Sequence, residues 1–151
     1  MGFTVTGIDI SSPMIEEAKK IGGDVEYQIG DVANIKFGDG SFDYVIFGFN
    51  GLDSVYPYRS RLIAFQEIRR VLRKEGIFVF SSHSLDWAKA HPEKMNPHGH
   101  GYYLHEGNYG TTLLYAIDPA MQERELNSIG YDLIGIYGED DAWIYYVARK
   151  T

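Results

Sequence analysis

The sequence predicts an α/β protein with a mostly parallel sheet that closes on an antiparallel hairpin. Three observations carry this. Apolar, β-branched runs alternate with helical patterns in the order strand, helix, strand, then strand, helix, strand, the arrangement of a parallel sheet with crossover helices. The last two strand-like runs, "YDLIGIYG" and "AWIYYVARK", are separated only by the acidic turn "EDD", which fits a hairpin. The chain has 151 residues, 44% of them apolar, enough for one domain with its own core, 1–151.

In chain order, "FTVTGIDI" reads as a buried strand. Ser12 is placed to cap the following helix, with Pro13 at its first position, Glu16 and Glu17 in its first turn and Lys19 and Lys20 near its last. Gly22 and Gly23 stop it. "VEYQIGD" is a second strand, with Val25, Tyr27 and Ile29 alternating; "FGDGSF" is a turn. "FDYVIFGFN" is a third strand, apolar enough to be covered on both faces. Residues 58–75 carry the clearest helical period, Leu62, Phe65, Ile68 and Leu72, ended by Gly76. "GIFVFSS" is a fourth strand, and residues 86–110, dense in His, Gly, Asn and Tyr, are expected to be irregular. "TLLYAI" fits a short strand, and Asp118-Pro119 opens a helix that Gly130 closes.

The formal charge of −7 argues against a nucleic-acid backbone or an anionic membrane as the main partner. The basic run "RRVLRK" sits inside a helical pattern and reads as a solvated face. Without cysteine there is no disulfide, thiolate nucleophile or Cys-type zinc site, which is compatible with the expected cytoplasmic location. No apolar run reaches the roughly 18 residues of a membrane span.

Ligands of parallel sheets bind outside the carboxyl ends of the strands, which directs attention to 9–11, 30–33, 47–52 and 81–84. Asp9 ends its strand on a carboxylate. Two readings stand: it accepts from the vicinal hydroxyls of a ribose, or it caps the following turn. Asp31, ending the next strand, either accepts from an exocyclic amine such as that of adenine or is a turn residue. Two acids on neighbouring strands, with a helix between, shift the balance toward a nucleoside site. Met14 either lies against a base or joins the core.

"VTGIDISSPMIEEAKK", "YQIGDVANIKFGDGSFDYVIFGFNGLDSV" and "EIRRVLRKEGIFVFSSHS" resemble consecutive motifs of class I S-adenosylmethionine-dependent methyltransferases, and the terminal hairpin resembles that family's closing strands. The resemblance implies a Rossmann-like sheet and S-adenosylmethionine as cofactor. It implies that Asp9 holds the ribose, that Ile10 and Met14 flank the adenine, and that Asp31 takes the adenine amine with Val32 beside it. Phe47, Gly48 and Asn50 would line the methionine end and the methyl group. The segment after the fourth strand would cover a small-molecule acceptor, and two readings stand for Tyr102, Tyr103, His105 and Tyr109: they bind an aromatic or amine substrate, or they pack. His83, just past that strand, is the best-placed base. The family's first strand and GxGxG loop have no counterpart ahead of "MGFTVTGID". The chain therefore reads as lacking its first strand-loop-helix unit, with two inner strand edges exposed, weak cofactor binding and a tendency to form homo-oligomers.

Other readings remain. "YVARK" has the Tyr-x-x-x-Lys spacing of a dehydrogenase dyad in Tyr146 and Lys150, but at the extreme end of the chain. His91, His98, His100 and His105 with Glu106 crowd one segment in no established zinc spacing, so no metal is expected. Without a glycine loop, the domain also fits a non-catalytic association module.

Overall fold

The computed structural model describes residues 2–107, 110–138 and 141–151. Strand β1 (Val5–Asp9), helix α1 (Ser12–Ile21) and strand β2 (Val25–Ile29) form the first unit. Strand β3 (Phe42–Phe47), a 3-10 turn (Gly51–Ser54), helix α2 (Tyr58–Val71) and the long strand β4 (Leu72–Ser84) form the second. Helix α3 (Leu85–Ala90) then leads into β5 (Met95–Gly99), β6 (Tyr102–Gly107) and β7 (Gly110–Ile117). Helix α4 (Pro119–Ile129) and strands β8 (Tyr131–Tyr137) and β9 (Trp143–Lys150) complete the chain.

β1 and β2 pair in parallel. β3 runs parallel to β4, which takes β9 antiparallel on its other edge, and β8 pairs outside β9. Past the end of β3, β7 joins β4 in parallel at His83–Ala116 and Ser84–Ile117, and carries β6 and β5 outward as an antiparallel arm. Among the described residues no ladder joins β1 to β3, so the two sheets remain separate.

The core lies on one face of the larger sheet. Phe65 of α2 meets Phe78 and Phe80 edge-on at 6.0 and 5.4 Å, and Phe80 stacks on Tyr146 at 5.0 Å. Leu126 of α4, with Tyr131, Ile144 and Ala148, closes the same layer. The opposite face differs from expectation. Register sets Tyr44 beside Ile77 and Ile46 beside Val79, which in turn pair with β9. Tyr44 and Ile46 are 57% and 76% exposed, so β3 is covered on one face only. Its alternating side chains send Val45 and Phe47 to the core and these two outward.

Four local expectations are corrected. Ser11, not Ser12, caps α1, accepting from the Met14 N–H at 3.4 Å, and Pro13 falls at the second position. The helix therefore starts one residue early, and neither Glu16 nor Glu17 lies in its first turn. α2 ends at Val71, because Leu72 leaves the helix to pair with Phe42. Gly76 instead marks a bend inside β4: Glu75 takes φ 60°, and a Cβ on Gly76 would sit 2.8 Å from the Arg73 carbonyl. Residues 86–110 are largely regular, holding most of α3, all of β5 and β6 and the first residue of β7. The Gly99-His100-Gly101 turn, all three at positive φ, folds β6 back on β5. The composition that suggests irregularity is that of tight turns between short strands.

Candidate functional site

At the first sheet, parallel pairing brings the two acids together. The Gly30 N–H donates to the Asp9 carbonyl at 2.9 Å, so Asp31 lies one residue from the end of β1. Both carboxylates tie down their own turn through one oxygen: Asp9 Oδ1 accepts from the Ser11 N–H at 2.7 Å and Asp31 Oδ1 from the Ala33 N–H at 2.8 Å. The second oxygen of each carries no bond among the described residues, and both side chains are exposed. Beside them Ile10 and Met14 are 74% and 58% exposed, apolar surface that folding leaves uncovered. Free carboxylate oxygens next to uncovered apolar groups fit the adenosine half of S-adenosylmethionine. Val32 is half-buried and packs against the main core.

At the second sheet, Phe49 and Asn50 both take left-handed backbone, φ 54° and 55°. Two such residues in a row turn Phe49 outward to 98% exposure and Asn50 inward to 5%. The Asn50 N–H donates to Ser81 Oγ at 3.0 Å, fixing the loop to β4. Phe47 packs its ring against Gly51, where a Cβ would collide with it, and Gly48 is exposed with open space around it.

Behind this loop stands a group that the sequence did not reveal. Asp53, wholly buried, accepts from Ser82 Oγ at 2.6 Å through Oδ1 and from the His83 N–H at 2.8 Å through Oδ2. The same Oδ2 is 2.7 Å from His83 Nδ1. A carboxylate only accepts, so the imidazole proton is assigned to Nδ1 and Nε2 carries the lone pair, which faces the Asn50 amide. Asn50 Nδ2 lies 3.4 Å from that Nε2, and Asn50 Oδ1 is buried without a hydrogen-bond partner among the described residues.

Asp53 is backed in turn by a buried cation. Arg61 Nη2 is 4.0 Å from Asp53 Oδ1 and donates to Gln122 Oε1 at 3.0 Å, while Nη1 donates to Glu125 Oε2 at 2.7 Å. Its guanidinium lies over Tyr115 and Phe65, 4.4 and 4.7 Å from the ring centroids. The Tyr58 hydroxyl donates to Glu125 at 2.7 Å, and burial, then that bond, pushes its pKa well above the phenol range. An arginine on the apolar stripe of α2, one turn before the buried positions 64 and 65, was the available sequence signal for this network.

The structure separates the proposed acceptor residues. Tyr102 is buried, its hydroxyl donating to the Val55 carbonyl at 2.6 Å, and burial raises its pKa to about 12; it is a packing residue. Tyr103 packs on the small cluster of Ala88, Met95 and Ala116. His105 pairs with Thr112, four residues along β7 from the Ala116 that faces His83, roughly 13 Å away by strand rise. Tyr109 lies outside the described residues. Tyr146, of the dehydrogenase spacing, stacks in the core, and Lys150 donates to the Leu72 carbonyl at 2.6 Å.

Residues 1–80 match the family model of a methyltransferase domain. Demethylmenaquinone methyltransferases of Staphylococcus haemolyticus and Staphylococcus epidermidis are 42% and 44% identical over 78 residues, 50% of this chain and 31% of each relative. An S-adenosylmethionine-dependent methyltransferase from Methanosarcina mazei superposes with a TM-score of 0.82 at 18% identity, covering 97% of this chain and 81% of that one. A Pyrococcus horikoshii protein does so with 0.82 at 24%, covering 99% and 73%. The 1,6-didemethyltoxoflavin-N1-methyltransferase of Burkholderia thailandensis, solved with S-adenosylhomocysteine, gives 0.69 at 17%, covering 99% and 62%. The chain thus belongs to the methyltransferase domain family and has a Rossmann-like α/β fold.

Proposed function

We propose that this chain transfers a methyl group from S-adenosylmethionine to a small-molecule acceptor. The observation that carries this reading is the Asp9–Asp31 pair at adjacent strand ends, each with a free carboxylate oxygen beside exposed Ile10 or Met14. Asp9 holds the ribose, Asp31 takes the adenine amine, and Ile10 and Met14 cover the base. Phe47, Gly48 and Asn50 face the methionine end. When bound, the cofactor supplies an electrophilic methyl; the chain's own part is to orient it and exclude water. A small acceptor is supported by the relatives, named for demethylmenaquinone and 1,6-didemethyltoxoflavin. The arm of β5 and β6, including Tyr103 and His105, covers the acceptor side.

Calorimetric titration with S-adenosylhomocysteine tests the reading. The wild-type chain is expected to bind weakly, because among the described residues no ladder joins β1 to β3. Asp9→Ala weakens binding about 10- to 150-fold, the equivalent of about 1.5–3 kcal/mol for a lost charge-assisted pair. Equal affinity in wild type and variant removes Asp9 from the site.

A second reading, an association module, is supported by the unjoined edges of β1 and β3 and by exposed Tyr44 and Ile46. Such edges pair with a second copy of the chain. Sedimentation velocity showing an oligomer that binds no cofactor favours this reading; a monomer removes it.

A further inference from the structure

We propose that Asp53 and His83 form a base that removes the proton from a hydroxyl carried on an aromatic ring, making the acceptor a ring hydroxyl. This deepens the methyl-transfer reading and rests on it. Asp53 is the positioning residue and His83 the catalytic one.

The geometry selects this chemistry. Asp53 is fixed by three bonds, from Ser82 Oγ, the His83 N–H and His83 Nδ1, at 2.6, 2.8 and 2.7 Å, and holds the ring in the tautomer whose Nε2 accepts. A merely packed histidine needs no buried carboxylate on its far nitrogen. The carboxylate also offsets the charge that appears when Nε2 takes a proton, and Arg61 at 4.0 Å keeps Asp53 from being the only charge in the layer. Asn50 supplies the second observation. Its Nδ2, which can only donate, lies 3.4 Å from Nε2, in keeping with a lone pair on that nitrogen. An acceptor hydroxyl that reaches Nε2 donates to it in place of this amide.

The surroundings are aromatic. His83 faces Trp143 in the β4–β9 ladder, so both side chains leave the same side of the sheet. Trp143 and Tyr145 line a shallow hollow of about 330 Å³ with Asp141 and Ala142. Trp143 is 48% exposed, and Phe49, next to Asn50, is 98% exposed. An exposed indole across the ladder from the base suits a ring bearing an ionisable hydroxyl. An imidazole is also a competent base for a phenol-like proton, whereas an acceptor with a free lone pair needs none.

The step balances as follows. His83 Nε2 takes the hydroxyl proton, and the O–H pair stays on oxygen. That oxygen attacks the methyl carbon of the sulfonium, the carbon–sulfur pair remaining on sulfur as the thioether. The proton then leaves Nε2 for solvent.

Two measurements on the full chain test the proposal without turnover. Nitrogen-15 NMR of histidine should show His83 with Nε2 unprotonated, and Asp53→Asn should move the proton to Nε2. A wild-type ring protonated on Nε2 alone, or a tautomer unchanged in Asp53→Asn, overturns the positioning role. Titration with 4-nitrophenol should produce the yellow phenolate on binding, a signal abolished in His83→Asn and reduced at least about tenfold in Asp53→Asn. If Asp53→Asn fails to fold, His83→Asn decides alone. No phenolate at saturating dye, or an equal signal in His83→Asn, overturns the proposal. Calorimetry with S-adenosylhomocysteine separates the two claims. Absence of its binding sinks methyl transfer and leaves the base, and binding without phenol ionisation sinks the base and leaves methyl transfer.

Discussion

Replacing Arg61 by alanine should remove much of the protein's stability. Its side chain is wholly buried, yet it carries a charge and joins three elements: α2, which bears it, α4 through Glu125 and Gln122, and the 3-10 turn through Asp53. The truncation leaves two buried carboxylates, Asp53 and Glu125, without their cation. Breaking a buried pair this way costs about 3–5 kcal/mol, because the remaining charge keeps its desolvation penalty and loses its partner. Loss of the guanidinium faces on Tyr115 and Phe65 works in the same direction. For a chain of this size a loss of 1 kcal/mol lowers Tm by about 2–4 °C, so the variant should melt about 6–20 °C lower. Urea unfolding followed by circular dichroism gives the free-energy difference by linear extrapolation. The double variant Arg61→Met, Glu125→Leu should regain part of the loss, since it removes the cation and its closest carboxylate and leaves only Asp53 without its partner. A single-variant loss under about 1 kcal/mol, or a double variant no better than the single, would show that the network is not a coupled ionic unit.

Gly51→Ala should cost about 1–3 kcal/mol in the same urea assay, since the new Cβ overlaps the Phe47 ring. Asp31→Ala should weaken cofactor binding and reduce the discrimination between adenine- and hypoxanthine-bearing analogues in calorimetry; equal losses for both would make Asp31 a turn residue only. Arg70, bonded to Glu67, holds that carboxyl below its ordinary range. This stabilisation is present above the unfolded carboxylate pKa and is lost as pH falls through the lowered folded value, so Glu67→Gln should flatten the acid limb of the stability profile. At high pH the sign reverses. Burial raises the phenols of Tyr102, Tyr115 and Tyr131 in the folded state, so their contribution is intact below about pH 10 and is lost as pH rises through the raised values. Urea midpoints measured from pH 8 to 12 should be flat and then fall.

Elements with a strong local period were legible in the sequence. The body of α2, the terminal hairpin and the Asp118 cap with Gly130 closing α4 follow from spacing and capping chemistry, whereas the end of α2 at Val71 is set by the pairing of Leu72 with Phe42. The β5–β6 arm was not, because its strands are short, rich in glycine and histidine, and exist through pairing with β7. At the site, Asp9 and Asp31 were visible as acids at strand ends. Asp53 was not, since nothing local distinguishes an aspartate in a turn from one that β4 meets with Ser82 and His83 about thirty residues later. Tyr102 failed in the opposite sense. Its surroundings in sequence look solvent-facing, and only the ladder to Tyr115 buries it.

The unjoined sheets have a consequence for dynamics. β1, α1 and β2 meet the rest of the molecule through a narrow set of anchors. The Ile35 N–H donates to Glu67, Arg70 donates to the carbonyls of Ile35 and Phe37, and Ile8 and Val32 pack on the main core. A unit so attached should open as a cooperative piece at lower free energy than β4 and β9, and its amides should exchange first. Both acids that would hold adenosine belong to this piece. The closed fraction therefore scales the apparent affinity, and bound ligand in turn suppresses the opening in proportion to its free concentration. Slowed exchange at the β1–β2 amides would then be a direct titration of occupancy, readable in a chain that never turns over.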